Sequence, residues 1–280
     1  MYREGINKYK RKRRIKKPFY WIFVIICLVI FIYSFIQIVI WLFDNKHSEE
    51  LKDMAIVNVS EKKAIEEKTE NVNPPENKSD DYWDYIKMDM LSVNFDELLK
   101  KNSDTVGWIK VNGTNINYPV VQANNNDYYL YHAYDKSKNN AGWIFADYHN
   151  DMVNLGRNTI IYGHGRLNNT MFGSLKNILK SSWYDDKNNY IVKFSTLKEN
   201  TLWQVFSIYS IEAEGYYITT SFKNNEAYND FLTVMKNRSI KIFNTTVNVN
   251  DKIITLSTCK DIAGKERVVL HAKLIKRELR

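Results

Sequence analysis

Two cysteines occur in the 280-residue chain, in opposite chemical settings. Cys27 lies inside a wholly apolar run. Cys259 closes the alternating segment "DKIITLSTC" (251–259), directly after Ser257 and Thr258. After seven intervening residues a second alternating segment begins, "RVVLHAKLI" (267–275). Two such segments on a short connection read as neighbouring strands, which brings Arg267 toward the thiol. A guanidinium there would lower the thiol pKa and hold the oxyanion formed when sulfur attacks a carbonyl. Spacing alone leaves the alternative open: a cysteine that only packs, beside an arginine that faces solvent.

A thiol that attacks an amide also needs a proton donor for the departing amine. Five histidines are available. His47 falls in a polar segment, and His132 and His149 in loop or surface contexts. His271 shares a strand face with Arg267 but stands four residues along, roughly 13 Å by strand rise. His164 ends the strand-like "NTIIYGH" (158–164) between Gly163 and Gly165, where the backbone is open to a ligand. Pattern ranks His164 first and His271 second. On alternation, Cys259 shares a face with Ser257, Thr255 and Ile253.

These residues need a frame of strands. Segments 106–111, 116–122, 141–147, 158–164, 190–196, 202–211, 252–259 and 267–275 are rich in β-branched and aromatic residues. Turn signals such as "VNGTN" and "KENT" separate them. Eight strands on short connections predict a mainly β fold, a closed or nearly closed barrel. Between the sixth and seventh, Tyr228, Phe231, Leu232 and Met235 recur at helical spacing, which predicts an amphipathic helix. "FDELLKKN" (95–102) predicts a short helix ahead of the barrel. The sequence has no C-x-x-C, H-E-x-x-H, phosphate-loop or G-x-S-x-G pattern, so no metal or cofactor is expected.

The N-terminus sets the compartment. Residues 19–43 form 25 positions without a charge, roughly 37 Å as a helix, enough to span a bilayer. No small-residue cleavage pattern follows, so an uncleaved anchor is predicted. Residues 1–17 carry nine Lys/Arg against Glu4, a net of +8 that equals the formal charge of the whole chain. The remainder sums to zero and has no electrostatic footprint for nucleic acid. A basic run directly before an apolar span reads as a cytoplasmic tail in contact with anionic lipid. The predicted layout is a basic tail (1–18), a transmembrane anchor (19–43), an extracytoplasmic stalk (44–85) and one catalytic domain (86–280). That domain then holds a single thiol, which cannot form an internal disulfide.

Taken together, the motifs resemble the sortase family, and within it class B. The resemblance rests on "TLSTC" (255–259) and "RVVLHAKLI" (267–275), and on "IIYGHGRLNNTMFGSL" (160–175). Farther upstream it rests on "DTVGWIKVNGTNINYPVVQANNNDYYLYHAYD" (104–135) and "GWIFADYHN" (142–150), and it covers about residues 90–278. Two features depart from the class pattern: a slightly short connection, "KDIAGKE", and Lys260 after the cysteine.

The resemblance implies an eight-stranded sortase-type β-barrel with flanking helices, the long one between strands 6 and 7. It makes Cys259 the nucleophile, His164 the general acid/base and Arg267 the oxyanion-stabilising cation, with Ser257 and Thr258 in the substrate groove and no cofactor. The implied reaction cleaves a C-terminal sorting motif (NPxTN/NPxTG or SPxTG-like) after Thr and passes the acyl group to a peptidoglycan amine, anchoring secreted surface proteins to the cell wall. A class B-type pilin polymerase, a cysteine hydrolase and a non-enzymatic membrane-tethered scaffold are the alternatives.

Overall fold

The computed structural model describes residues 17–258 and 266–280. The chain divides into two compact units, residues 1–44 and 45–280. The helix α1 (Lys17–Ile56) supplies the described part of the first unit. From Phe19 to Phe43 its large apolar side chains stand mostly exposed, Phe19 by 66% and Phe43 by 69%. It is long and apolar enough to cross a membrane. Side chains this apolar and this exposed lack the polar face of a soluble surface helix.

The second unit is built around eight strands: β1 (Thr105–Val111), β2 (Asn117–Val121), β3 (Phe145–Ala146), β4 (Asn158–Gly163), β5 (Ile191–Thr196), β6 (Glu199–Glu212), β7 (Ile253–Thr258) and β8 (Glu266–Leu279). Hydrogen bonding runs β7-β4-β3-β2-β1-β5-β6-β8, and β8 pairs back onto β7. The ring is therefore a closed eight-stranded barrel, as the alternating segments predicted. β7 lies parallel to β4, from Ile253 opposite Asn158 to Thr258 opposite Gly163. On its other side it is antiparallel to β8, from Ile253 opposite Lys273 to Ser257 opposite Val269.

Every side chain of β4, β5 and β7 is buried. Inward-facing residues, among them Trp108, Phe194, Leu256 and Leu270, belong to the main core. The outward face of β6, β7 and β8 is covered by the helix α3 (Asn225–Arg238). Its stripe of Tyr228, Phe231, Leu232 and Met235 is buried against Phe206, Tyr209, Ile253 and Val269, at roughly 1.5–3 kcal/mol per large side chain. Asn224 caps its first turn, the side-chain oxygen accepting from Ala227 N at 2.9 Å. Lys236 and Arg238 in the last turn complement its dipole. The helix α2 (Phe95–Lys101) lies where the sequence put it.

Two expectations are corrected. Segment 141–147 forms a strand only at Phe145–Ala146. Ahead of it the backbone turns at Gly142 (φ +60°), and a side-chain bond from Ala141 N to Asn139 Oδ1 replaces ladder pairing. Nor is 44–85 a free stalk, for residues 45–85 belong to the second unit. Leu51 and Ala55 are buried in the main core, and Val59–Lys62 pairs antiparallel with Met90–Val93. Thr69–Asn71 pairs with Lys276–Glu278 of β8. The physical reason is that β8 runs well past the end of its ladder with β7, and the open edge takes a third strand. The polar composition of the segment concealed apolar residues at the few positions that touch the barrel.

Candidate active site

β4 and β7 end at the same level, Gly163 beside Thr258, at the rim of a cleft of about 620 Å³. Its described lining includes His164, Gly165, Ser257, Thr258 and Arg267, with Leu130 opposite. The glycines that flank the histidine have different reasons. A Cβ on Gly163 would come within 2.5 Å of Ile144 and 2.7 Å of Phe172, so the strand end is closely packed. Gly165 faces Thr258, whose side chain lies 3.6 Å from where a Cβ would stand.

His164 Nε2 sits 2.8 Å from the Leu130 carbonyl oxygen. A carbonyl can only accept, so Nε2 carries a proton and the ring is fixed in orientation. Gly142 presses against the ring from below: a Cβ there would be 2.8 Å from His164 Cδ2 and 2.6 Å from the Tyr129 carbonyl. Thr258 Oγ1 accepts from Val268 N at 2.9 Å, tying the ends of β7 and β8 together. Ser257 Oγ lies 3.1 Å from the Tyr217 hydroxyl and donates to the Thr258 carbonyl at 3.2 Å. Arg267 is half-buried, and its Nη1 is sealed from water with no hydrogen-bond partner among the described residues. Cys259 lies outside the described residues, as does the rest of 259–265.

The closed barrel thus brings a histidine and an arginine to the cleft where β7 ends. Residues 109–275 match the Sortase domain family. The chain belongs to the sortase family. It is 41% identical over 184 residues to sortase B of Staphylococcus aureus, covering 65% of this chain and 75% of that protein. To sortase B of Listeria monocytogenes it is 34% identical over 259 residues, covering 90% and 94%. The structure of a Staphylococcus aureus sortase B–substrate complex aligns at a TM-score of 0.61 with 41% identity, over 65% of this chain and 84% of that one. A sortase B complexed with triglycine aligns equally well, at 0.61 and 41%, over 65% and 85%. This sortase is a cysteine transpeptidase of the class B type.

The structure separates the two histidines that spacing left in competition. His271 of the sortase is wholly buried beneath α3, with Nδ1 2.8 Å from Thr255 Oγ1 and Nε2 2.8 Å from the Tyr209 hydroxyl. Burial, and secondarily the Arg238 charge, push its pKa down to about 3. It is a neutral structural imidazole away from the cleft. Its strand face, which alternation assigned to the less apolar side of β8, is buried too: Val269 and Lys273 are as sealed as the inward set.

Sequence reasoning missed Asp147, which organises one end of the cleft. Its Oδ2 accepts from Asn126 Nδ2 at 2.8 Å and from the Tyr162 hydroxyl at 2.9 Å. Its Oδ1 accepts from His149 N at 2.9 Å. The carboxylate is buried and so fixes two lining side chains at once. Asn126, Asp147 and Tyr162 come from three separate segments, and no local pattern records that one carboxylate joins them. The opposite wall holds Glu214, paired at Oε1 with Arg238 of α3. That pair fastens the connection after β6 to the helix.

Proposed function

We propose that this sortase uses Cys259 as nucleophile, His164 as general acid/base and Arg267 as the cation for the oxyanion, in a two-step acyl transfer. The observation that carries the reading is the convergence of His164 and Arg267 on the cleft where β7 ends. Cys259 is joined directly to Thr258, and consecutive Cα atoms are about 3.8 Å apart. In register, the residue after Gly163 on β4 is His164, and on β8 Arg267 lies two residues before Val269. That Cys259 directly follows Thr258 in the chain supports assigning it to the same site as His164 and Arg267.

The thiolate attacks the Thr carbonyl of a sorting motif. The Leu130 carbonyl engages Nε2–H of His164, so Nδ1 exchanges the proton with the leaving amine and later with the attacking amine. Arg267 offers Nη1, which has no partner among the described residues, to the oxyanion in both steps. Ser257 and Thr258 border the path of the bound peptide. The substrate-bound and triglycine-bound sortase B relatives support a peptide groove and an amine acceptor of this kind. The reading extends to an NPxTN/NPxTG or SPxTG-like motif on secreted proteins and to a peptidoglycan amine as acceptor.

The apolar span of α1 after a tail of net charge +8 supports a single-pass anchor, with the N-terminus in the cytoplasm and residues from Asn45 onward outside. The test uses the full chain in detergent with quenched peptides varied around Asn-Pro-x-Thr-x, with and without an amine acceptor. Cleavage after Thr, abolished by Cys259→Ala and by His164→Ala and diverted to an amine adduct, is expected. Cleavage that ignores the amine would favour a hydrolase. A folded chain with an unreactive thiol and no cleavage would refute catalysis.

A further inference from the structure

Arg166 follows His164 by two residues, and its side chain is as buried as a core residue, 5% exposed. Its amide donates to the His164 carbonyl at 3.0 Å, and its own carbonyl accepts from Asn169 N at 3.2 Å. The backbone of Arg166 thus forms the turn that carries the histidine. Gly173 packs so tightly on that turn that a Cβ would stand 2.1 Å from the Arg166 carbonyl oxygen.

The acceptors of the guanidinium include two groups from other segments. Nη2 donates to Asn45 Oδ1, and Nη1 to the Asn140 carbonyl at 3.4 Å. Asn45 is buried on α1, outside the cleft. One turn along the same helix, buried Ser48 accepts from Asn139 Nδ2 at 3.3 Å. Asn139 in turn holds the bend that brings Gly142 against the His164 ring. Two polar side chains at i and i+3 of α1 therefore grip the two loops that border the imidazole. Leu51 and Ala55, farther along, fasten this stretch of helix in the main core.

We propose that Asn45 is a positioning residue for the transpeptidation: by holding the Arg166 guanidinium it keeps the turn bearing His164, and hence the imidazole, in place at the cleft. The inference rests on the reading of His164 as the acid/base. Asn45 is not itself among the cleft-lining residues, and the effect is expected chiefly on the chemical step, through the turn that bears His164. A charge-assisted bond to a buried arginine orients strongly, and small misplacements of a proton-transferring group are expensive in rate. It follows that the end of α1 is a working part of the catalytic unit and not a spacer.

The experiment measures kcat and KM for the sorting peptide with the full chain in detergent, comparing wild type, Asn45→Ala, Asn45→Asp and His47→Ala, with His164→Ala as reference. His47 bonds to Asp135 and Ser137 at the surface and does not touch Arg166, so its variant keeps the wild-type rate. Asn45→Ala is expected to lower kcat about 10- to 100-fold with KM unchanged. Asn45→Asp, which retains an oxygen acceptor, is expected to recover most of that loss. Hydrogen exchange gives a second readout, rising in Asn45→Ala within residues 164–173. If His164→Ala proves inactive while folded Asn45→Ala keeps the wild-type kcat and exchange, the inference is overturned and the site reading stands. An Asn45→Asp variant that is folded yet as slow as Asn45→Ala would also overturn it. If His164→Ala is fully active, the site reading fails first.

Discussion

Replacing Arg267 by methionine separates the energetics of folding from those of catalysis. The arginine is half-buried, and its Nη1 is enclosed without a partner among the described residues. A buried polar group left unsatisfied destabilises the fold by about 1–3 kcal/mol. Methionine fills a similar volume with no polar atom to leave orphaned. Arg267→Met is therefore expected to keep the wild-type melting temperature or raise it, by about 2–4 °C per kcal/mol for a unit of this size. The rate should move the other way. Losing one preorganised donor to a developing oxyanion costs about 10²–10³ in kcat, or about 2.7–4 kcal/mol. Arg267→Lys keeps the charge but loses the planar fork, and should fall between the two. Melting followed by circular dichroism and steady-state peptide cleavage by the same samples check both halves. A melting point several degrees lower would mean that the guanidinium is satisfied in the resting protein. Unchanged kcat in the methionine variant would remove Arg267 from the reaction.

Other outcomes follow from the same geometry. Leu51→Ala should destabilise the second unit by about 2–5 kcal/mol, since Leu51 is a core side chain; chemical denaturation checks it, and a change near zero would restore the free-stalk reading. His271 is held neutral, its pKa lowered from 6.5 to about 3. The unfolded chain binds the extra proton between those values, so stability is full above about pH 6.5 and falls as pH drops toward 3. His271→Asn should flatten the pH dependence of the melting temperature across that window, and identical slopes would refute the assignment. Asn224→Ala should cost about 1 kcal/mol through loss of the α3 cap, measured by denaturant midpoint. Phe231→Ala should cost about 3–5 kcal/mol and expose the outer face of β6 and β8 to hydrogen exchange.

The positions of α3 and of all but one of the eight strands were legible because their signals are local; segment 141–147 was overread. Alternation along 252–259 and the stripe from Tyr228 to Met235 are properties of neighbouring residues, and the structure reproduces both. The pairing of β7 with β8 was legible for the same reason, a connection too short to reach elsewhere. The parallel pairing of β7 with β4 was not, because about ninety residues of chain, including β5, β6 and α3, lie between them. Yet that pairing is what brings His164 to the end of β7. The choice between His164 and His271 likewise needed three dimensions. Both sit on strand-like segments, and only packing shows one at a cleft and the other sealed under a helix.

The sequence by itself determined the apolar span, the charge of its tail, the strand order along the chain and the types of residue available for acyl transfer. Each follows from composition or from a period of two or 3.6 residues. Tertiary structure alone decided that residues 45–85 fold against the barrel, that Asp147 fixes Asn126 and Tyr162, and that Asn45 holds Arg166. The Asn45–Arg166 contact joins residues 121 positions apart, and Thr69 pairs with Glu278 farther still. Their energy comes from burying polar groups only where a partner waits, and a linear pattern carries no record of which distant atom that partner is.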